Sequence, residues 1–370
     1  MRDKLRIESP LFINAETEFN YNTIGTSIID NVQTLYGELH IVGFDDTLRF
    51  SCTENNTFLS PINSQSKKPS SYSYELIETI SKIMGEPDIS VYYSLFKKPA
   101  QATTVINAKK TLVYIPGGPW LPFSTHHFLK SYQPFINEGY TIIIPHEPMR
   151  GGFGYNYLCS EKQFGRNNLH HIMAILDDAC NKGANPHMVL MGESYGGWVA
   201  SALAATWKDF KTPESLVELH GCIAQAATLD LNYCRDWHVE NGEPCFAQTF
   251  ADNPVDVANI TTLQSSLLIF HGLGDVRCTI DSMRDWTKNL IMKDQRFTFI
   301  TAPEEHVDTL ISPKLNAEEY ELRFNMVLRF IEGDIIPAAS VEKLSEFNLS
   351  VVHDSAGLFE QSNNNSTANS

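Results

Sequence analysis

Residues 188–198 read Met-Val-Leu-Met-Gly-Glu-Ser-Tyr-Gly-Gly-Trp: a buried-strand run, a Gly-x-Ser-x-Gly turn, and then the helical pattern Trp198 to Lys208. Few folds accept that order. Gly192 and Gly196 permit a bend that a Cβ would block, and the bend lifts the Ser194 hydroxyl clear of the backbone. The helix that follows directs its first N–H groups at the same place, where a developing oxyanion can be held.

The flanking pattern has the same period of strand and helix. From residue 89 onward the candidate strands are 91–96, 111–115, 141–144, 187–191, 221–226, 266–271 and 297–301. Several are continuous apolar runs, as strands covered on both faces require. Helical patterns lie between them, over 128–137, around Leu169 to Cys180, over 280–291 and over 317–331. This alternation predicts an α/β architecture, a doubly wound and mostly parallel sheet. Residues 1–88 read as a small α+β extension or cap. In it, 39–42 and 47–52 form a hairpin, 61–71 is a polar linker, and Leu76, Ile77, Ile80, Ile83 and Met84 mark an amphipathic helix ended by Gly85. Residues 89–333 are expected to be the main domain. Residues 334–370 form a C-terminal segment with a disordered Asn/Ser-rich end, compatible with the export signal of a bacterial effector or with a tag remnant.

A net charge of −16 argues against nucleic acid and anionic membrane as partners. No apolar run reaches membrane-spanning length, and the first residues lack a signal-type apolar core. Seven cysteines without paired spacing read as free thiols of a reducing compartment, so a cytoplasmic protein is expected. No HExxH or comparable spacing suggests a metal, and no cofactor is expected. A homo-oligomer is left open, since the sequence gives no handle on oligomeric state.

A serine nucleophile needs a base, and the base needs a carboxylate. Strand 266–271 runs into Gly272-Leu273-Gly274-Asp275, and strand 297–301 runs into Ala302-Pro303-Glu304-Glu305-His306. Asp275 and His306 therefore sit on neighbouring loops beyond strand ends, in the order Ser, Asp, His of α/β-hydrolases. Asp281 reads as a helix cap, and Glu304 and Glu305 as solvated. His170 and His171 fall in a helix, His220 before a strand, and His353 beyond the main domain. The oxyanion donors expected are the backbone N–H groups of Tyr195 and of Gly118 in Pro116-Gly117-Gly118-Pro119.

Together these segments resemble the catalytic domain of prolyl-oligopeptidase-like serine peptidases. The family's HGGP loop is similar to Pro116–Pro119, and its RGSxGxG segment to Arg150–Tyr155. Its GGSYGG elbow is similar to Gly192–Gly197, its HGxxD strand end to His271–Asp275, and its GxGH segment to Pro303–His306. Pro116 stands where the family has histidine, and Glu193 where it has glycine. Serine carboxypeptidases share the GESY elbow and the GGP loop, but they are larger and rich in disulfides. The resemblance implies an α/β-hydrolase fold and a serine hydrolase with Ser194, Asp275 and His306 as its triad. The implied substrate is a peptide or an N-blocked aminoacyl amide, with a small acyl ester or thioester as the alternative. A non-catalytic binding module on the same fold is the rival from another class. Arg150 reads either as an anchor for a substrate carboxylate or as a salt bridge holding its loop. The 88 or so residues upstream are too few for the family's propeller, which needs at least four blades of about 40–45 residues each.

Overall fold

Continuous apolar runs become the centre of a nine-stranded sheet. The computed structural model describes residues 19–29, 32–41, 47–52 and 57–61 as strands. It further describes residues 72–360 apart from 84, 99–108, 119–124, 151–152, 154–156, 158–164, 230, 241–256, 258–261, 304, 307–309 and 313. The strands are β1 (Phe19–Ile29), β2 (Val32–Ile41), β3 (Thr47–Cys52), β4 (Thr57–Pro61), β5 (Ser73–Ser81), β6 (Ile89–Lys97), β7 (Thr111–Ile115), β8 (Thr141–His146), β9 (His187–Glu193), β10 (Glu218–Gln225), β11 (Ser266–Gly272), β12 (Phe297–Ala302) and β13 (Ser350–Asp354). The helices are α1 (Thr125–Asn137), α2 (Arg166–Asn181), α3 (Tyr195–Phe210), α4 (Leu231–Glu240), α5 (Ile280–Met292), α6 (Ala317–Glu332) and α7 (Ala338–Glu346).

The large sheet has the order β13-β12-β11-β10-β9-β7-β8-β6-β5. From β8 to β12 the six central strands are parallel, and β6, β5 and β13 extend the edges antiparallel. Alternate residues of each central strand feed two cores. Val113, Leu190 and Ile269 meet α2, α3 and α5 on one face through Leu176, Trp198 and Trp286. Leu112, Met191 and Phe270 meet α1 and α6 on the other through Phe135 and Val327. Helices on both faces explain why the middle residues of these strands are buried and mostly apolar. α6 shows the local logic of a helix: Asn316 caps the Glu319 N–H at 3.0 Å, and Gly333 ends it at φ +81°.

The order has a functional consequence. After β7 the chain moves outward to β8, then returns to the other side of β7 as β9. The carboxyl ends of β7 and β9 thus flank the point where the winding reverses, where open α/β sheets form a crevice. The loops after β7, β9, β11 and β12 all open at that end.

Three expectations need correction. The helix expected over residues 76–84 is not found among the described residues 76–83: Ser73–Ser81 is β5, paired antiparallel with β6 from Ser73↔Lys97 to Ser81↔Ile89. Its inward face carries Ile77 and Ser81, both buried, whereas Ile80 is 47% exposed. A buried serine on a two-residue period left the isoleucines to mimic a helical stripe, and edge pairing overrides that periodicity. His220 lies inside β10 rather than before it. His353 lies in β13, within the sheet, with its ring stacked on Phe297 at 4.4 Å. The sheet therefore takes in strands on both sides of the 89 and 333 limits. The 39–42 and 47–52 hairpin is found as β2 and β3 in a separate antiparallel meander, β1-β2-β3-β4. A four-stranded meander is the unit that propellers repeat. The linker beyond Pro61 and the tail after residue 360 lie outside the described residues. Cys180, Cys222 and Cys278 are free thiols.

Candidate active site

Ser194 is the hinge of the turn between β9 and α3, with φ +54° and ψ −119°. A non-glycine residue at positive φ is costly and survives only where its surroundings enforce it. Here they do. Ser194 N–H donates to Gln225 O at 2.9 Å, and Ser194 O accepts from Trp198 N and Thr228 N, both at 3.1 Å. Space around the turn is minimal. A Cβ on Gly192 would lie 2.0 Å from Gly196 O, and one on Gly196 would lie 2.0 Å from Ile115 O. Gly197 packs on Ala227, where a Cβ would come within 2.7 Å. Three glycines thus let the elbow fit between β7 and β10.

His306, on the loop after β12, reaches the hydroxyl. Its Nε2 lies 2.9 Å from Ser194 Oγ and its Nδ1 lies 2.8 Å from Asp275 Oδ2. The three loops are sewn together by Leu273 N–H on Ala302 O at 2.7 Å and Leu310 N–H on Gln225 Oε1 at 2.7 Å. Asp275 has a fully buried side chain and the His306 side chain is 13% exposed. The other Asp275 oxygen accepts the N–H groups of Arg277 at 2.9 Å and Cys278 at 2.8 Å. A carboxylate at Nδ1 places a proton on that nitrogen, so Nε2 presents its lone pair to the serine hydroxyl. Burial lowers the proton affinity of nearby His271, whose Nε2–H donates to Cys278 O at 2.6 Å. His271 supports the Asp275 loop as a neutral ring.

The loop after β7 is governed by Arg150. The guanidinium donates to Pro116 O at 3.1 Å, Gly117 O at 3.3 Å and Gly118 O at 3.5 Å, and it pairs with Glu147 at 2.8 Å. Its side chain is 1% exposed and that of Glu147 is 0%. The salt bridge that holds the loop, one of the two readings of Arg150, is formed, and the guanidinium is enclosed by these groups. A trans peptide sets N–H opposite C=O, so turning the Gly117 carbonyl to Arg150 turns the Gly118 N–H away from it. Gly118 sits at φ +53°, a glycine conformation, and Gly117 packs on Ser194, where a Cβ would lie 3.0 Å from the serine Cβ. Tyr195 opens α3, so its N–H belongs to the turn whose amides lack a partner within the helix.

Other candidates fall away by position. Asp281 is exposed in the first turn of α5 and pairs with Arg284 at 3.2 Å, while Thr279 holds the cap position. Glu305 is exposed, and Glu304 lies outside the described residues. His171 lies in α2 and bonds Ser81 at 2.8 Å. Four contributors were not singled out from the residues: Glu147, Gln225, Thr228 and Cys278. Glu147 had a signal, since it precedes Arg150 by three residues. Cys278 packs its sulfur 2.8 Å from Thr228 Oγ1, and its donor atom lies within 4.8 Å of those of Asp275 and His306. That trio could grip a cation only by breaking the Asp275–His306 bond. Glu193 fills the place of the family glycine. Its Oε2 accepts the Tyr114 hydroxyl at 2.7 Å, and burial raises the proton affinity of its carboxyl, against the influence of Tyr114 and His306.

The sequence pattern of the prolyl oligopeptidase family matches residues 126–332, more than half of the chain. The chain belongs to the prolyl oligopeptidase family. Solved structures of similar fold include a puromycin-hydrolyzing peptidase of Mycobacterium tuberculosis, at 14% identity and a TM-score of 0.59, covering 84% of this chain and 53% of that one. An acylaminoacyl peptidase of Pyrococcus horikoshii aligns at 14% identity and 0.57, covering 86% and 56%. Oligopeptidase B of Leishmania major aligns at 11% and 0.61, covering 85% and 45%. This prolyl oligopeptidase family chain therefore spans about half the length of these proteins, with which it shares the fold. Among the described residues, no helix is long and apolar enough to cross a membrane.

Proposed function

We propose that the chain is a serine hydrolase cleaving a peptide or N-blocked aminoacyl amide through an acyl-enzyme on Ser194. The observation that carries this reading is the pair of contacts at His306, 2.9 Å to Ser194 Oγ and 2.8 Å to Asp275 Oδ2. Ser194 Oγ attacks the carbonyl carbon as its proton passes to His306 Nε2. The carbonyl oxygen becomes an oxyanion, received by the N–H groups of Gly118 and Tyr195. Asp275 stabilises the imidazolium without taking its proton. His306 then protonates the leaving amine, the carbon–nitrogen bond breaks, and the acyl group stays on Ser194. Water, deprotonated by His306, attacks the ester and restores the serine.

The substrate class draws on family membership and on the activities that the names of the aligned structures carry. In this reading the catalytic unit runs from β5 to residue 360, wider than the sequence-based limits of 89 and 333, because β5 and β13 complete its sheet. The test is a fluorophosphonate probe together with a panel of aminoacyl anilides, N-acylated anilides and p-nitrophenyl esters. Wild type is expected to label and to turn over anilides, and Ser194→Ala to do neither. Labelling with a negligible anilide rate would leave a hydrolase but remove the amide substrate. Absence of labelling would leave only the binding module.

A further inference from the structure

A cluster of metal-type donors lies at the end of the sheet opposite Ser194. His187 opens β9 and Glu218 opens β10, and the two are register partners. The register shifts between Leu219 and Gly221, so His220 sits in a bulge beside that pair. His187 Nδ1 lies 3.0 Å from Glu218 Oε2 and 2.8 Å from His220 Nε2, and His220 Nε2 lies 3.8 Å from the same carboxylate oxygen.

Three acceptor atoms meet here. A neutral imidazole has one N–H, and an N–H on either facing nitrogen can serve only one of the other two atoms well. A cation between them serves all three at once. Zinc with bonds of about 2.0–2.1 Å in tetrahedral geometry sets its ligand atoms about 3.4 Å apart, a value the observed separations straddle. The side chains are 45%, 57% and 37% exposed for His187, Glu218 and His220, so small rotamer changes can even out the spacing. Two imidazoles and one carboxylate suit a borderline ion, whereas magnesium and calcium prefer oxygen alone. We propose that His187, Glu218 and His220 form a surface site for a divalent transition ion, best fitted by zinc, with its fourth position open to solvent.

The ion stands away from the chemistry, since seven residues of β9 at about 3.3 Å each separate His187 from Ser194. Its effect is to clip the starts of β9 and β10 together, stabilising the folded state by mass action. The Lys110 ammonium, hydrogen-bonded to Ile331 O, acts electrostatically on His220 and opposes a cation there.

The test titrates zinc chloride, then cobalt(II) chloride, into the purified full chain, following calorimetry, Tm and the visible spectrum. Wild type is expected to bind about one equivalent, with a Tm that climbs with metal concentration. Cobalt should give d–d bands without a thiolate charge-transfer band. His187→Ala and His220→Ala, and the gentler His220→Gln, are expected to weaken binding at least tenfold and to abolish the Tm shift. Lys110→Gln should tighten it. Cys278→Ser should leave metal binding and its Tm shift unchanged, which separates this site from the Asp275, Cys278 and His306 trio. Absence of binding, binding unchanged in the histidine variants, or binding lost with Cys278 would each overturn the proposal.

Discussion

At the residue scale, the elbow glycines and the proposed triad carry different kinds of necessity. Gly192 and Gly196 are fixed by contact, because a Cβ on Gly192 would sit 2.0 Å from Gly196 O across the turn and one on Gly196 2.0 Å from Ile115 O of β7. Backbone must move to relieve that, so Gly196→Ala is expected to lower stability by at least ~2 kcal/mol through overpacking alone. Chemical denaturation at neutral pH checks it, and an unchanged midpoint would refute the packing reading. Asp275 is fixed by charge. Asp275→Asn keeps the shape but loses the carboxylate that selects the Nδ1–H tautomer, so kcat should fall about 10³–10⁴-fold with KM little changed. Steady-state kinetics on any turned-over anilide or ester measures it, and a fall below tenfold would remove Asp275 from its proposed role. Both positions were legible in the sequence, since Gly-x-Ser-x-Gly after a strand and aspartate after another encode them locally. Arg150 was legible only as a residue of interest. Its hold on the loop depended on Glu147 and three carbonyls gathered around it.

At the element scale, the loop after β7 and the segment at residues 147–150 behave as one unit. The Arg150–Glu147 pair is almost fully enclosed, and removing one partner of such a pair leaves a charge buried alone. Arg150→Met is expected to cost ~3–5 kcal/mol. Adding Glu147→Leu should recover much of that stability, because two apolar groups can replace a buried pair without penalty. Activity should not return with it, since the carbonyls of residues 116–118 would still lack their donor and the Gly118 N–H its fixed direction. Denaturation midpoints beside kcat for the single and double variants decide the matter. Recovery of both together would reduce Arg150 to a stability device. β5 carries the opposite lesson about elements. Leu76, Ile77, Ile80 and Ile83 fit a helical stripe as well as a strand does. Only pairing with β6, an interaction between chain segments, selects the strand.

At the scale of the whole molecule, buried histidines set the acid limit of stability. His146 lies at the end of β8 with its Nε2 2.7 Å from Ser94 Oγ, and burial together with Arg150 lowers its pKa to about 3. Burial also lowers those of His170 and His271. The unfolded chain takes up these protons near the ordinary histidine value of about 6.5, before the folded chain does. Stability contributed by the neutral rings is thus full above about pH 6.5 and is lost progressively as pH falls towards 3. For His146 the loss is bounded at roughly 5 kcal/mol. Denaturation midpoints measured from pH 7 to pH 4 should fall steadily, and His146→Gln should flatten that slope. An equal slope in the variant would show that His146 is not the group responsible.

Local patterns in the chain determined the strand–elbow–helix, the alternation that makes a doubly wound sheet, and the three loops that carry Ser194, Asp275 and His306. Each is encoded within a dozen residues by period, glycine placement and strand ends. Tertiary structure decided what those patterns leave open: the edge strands β5 and β13, the work of Arg150, and the meeting of His187 with Glu218 and His220. All of these depend on groups distant in the chain, or on a bulge that no periodicity records. Contact between such groups exists only once the sheet has assembled.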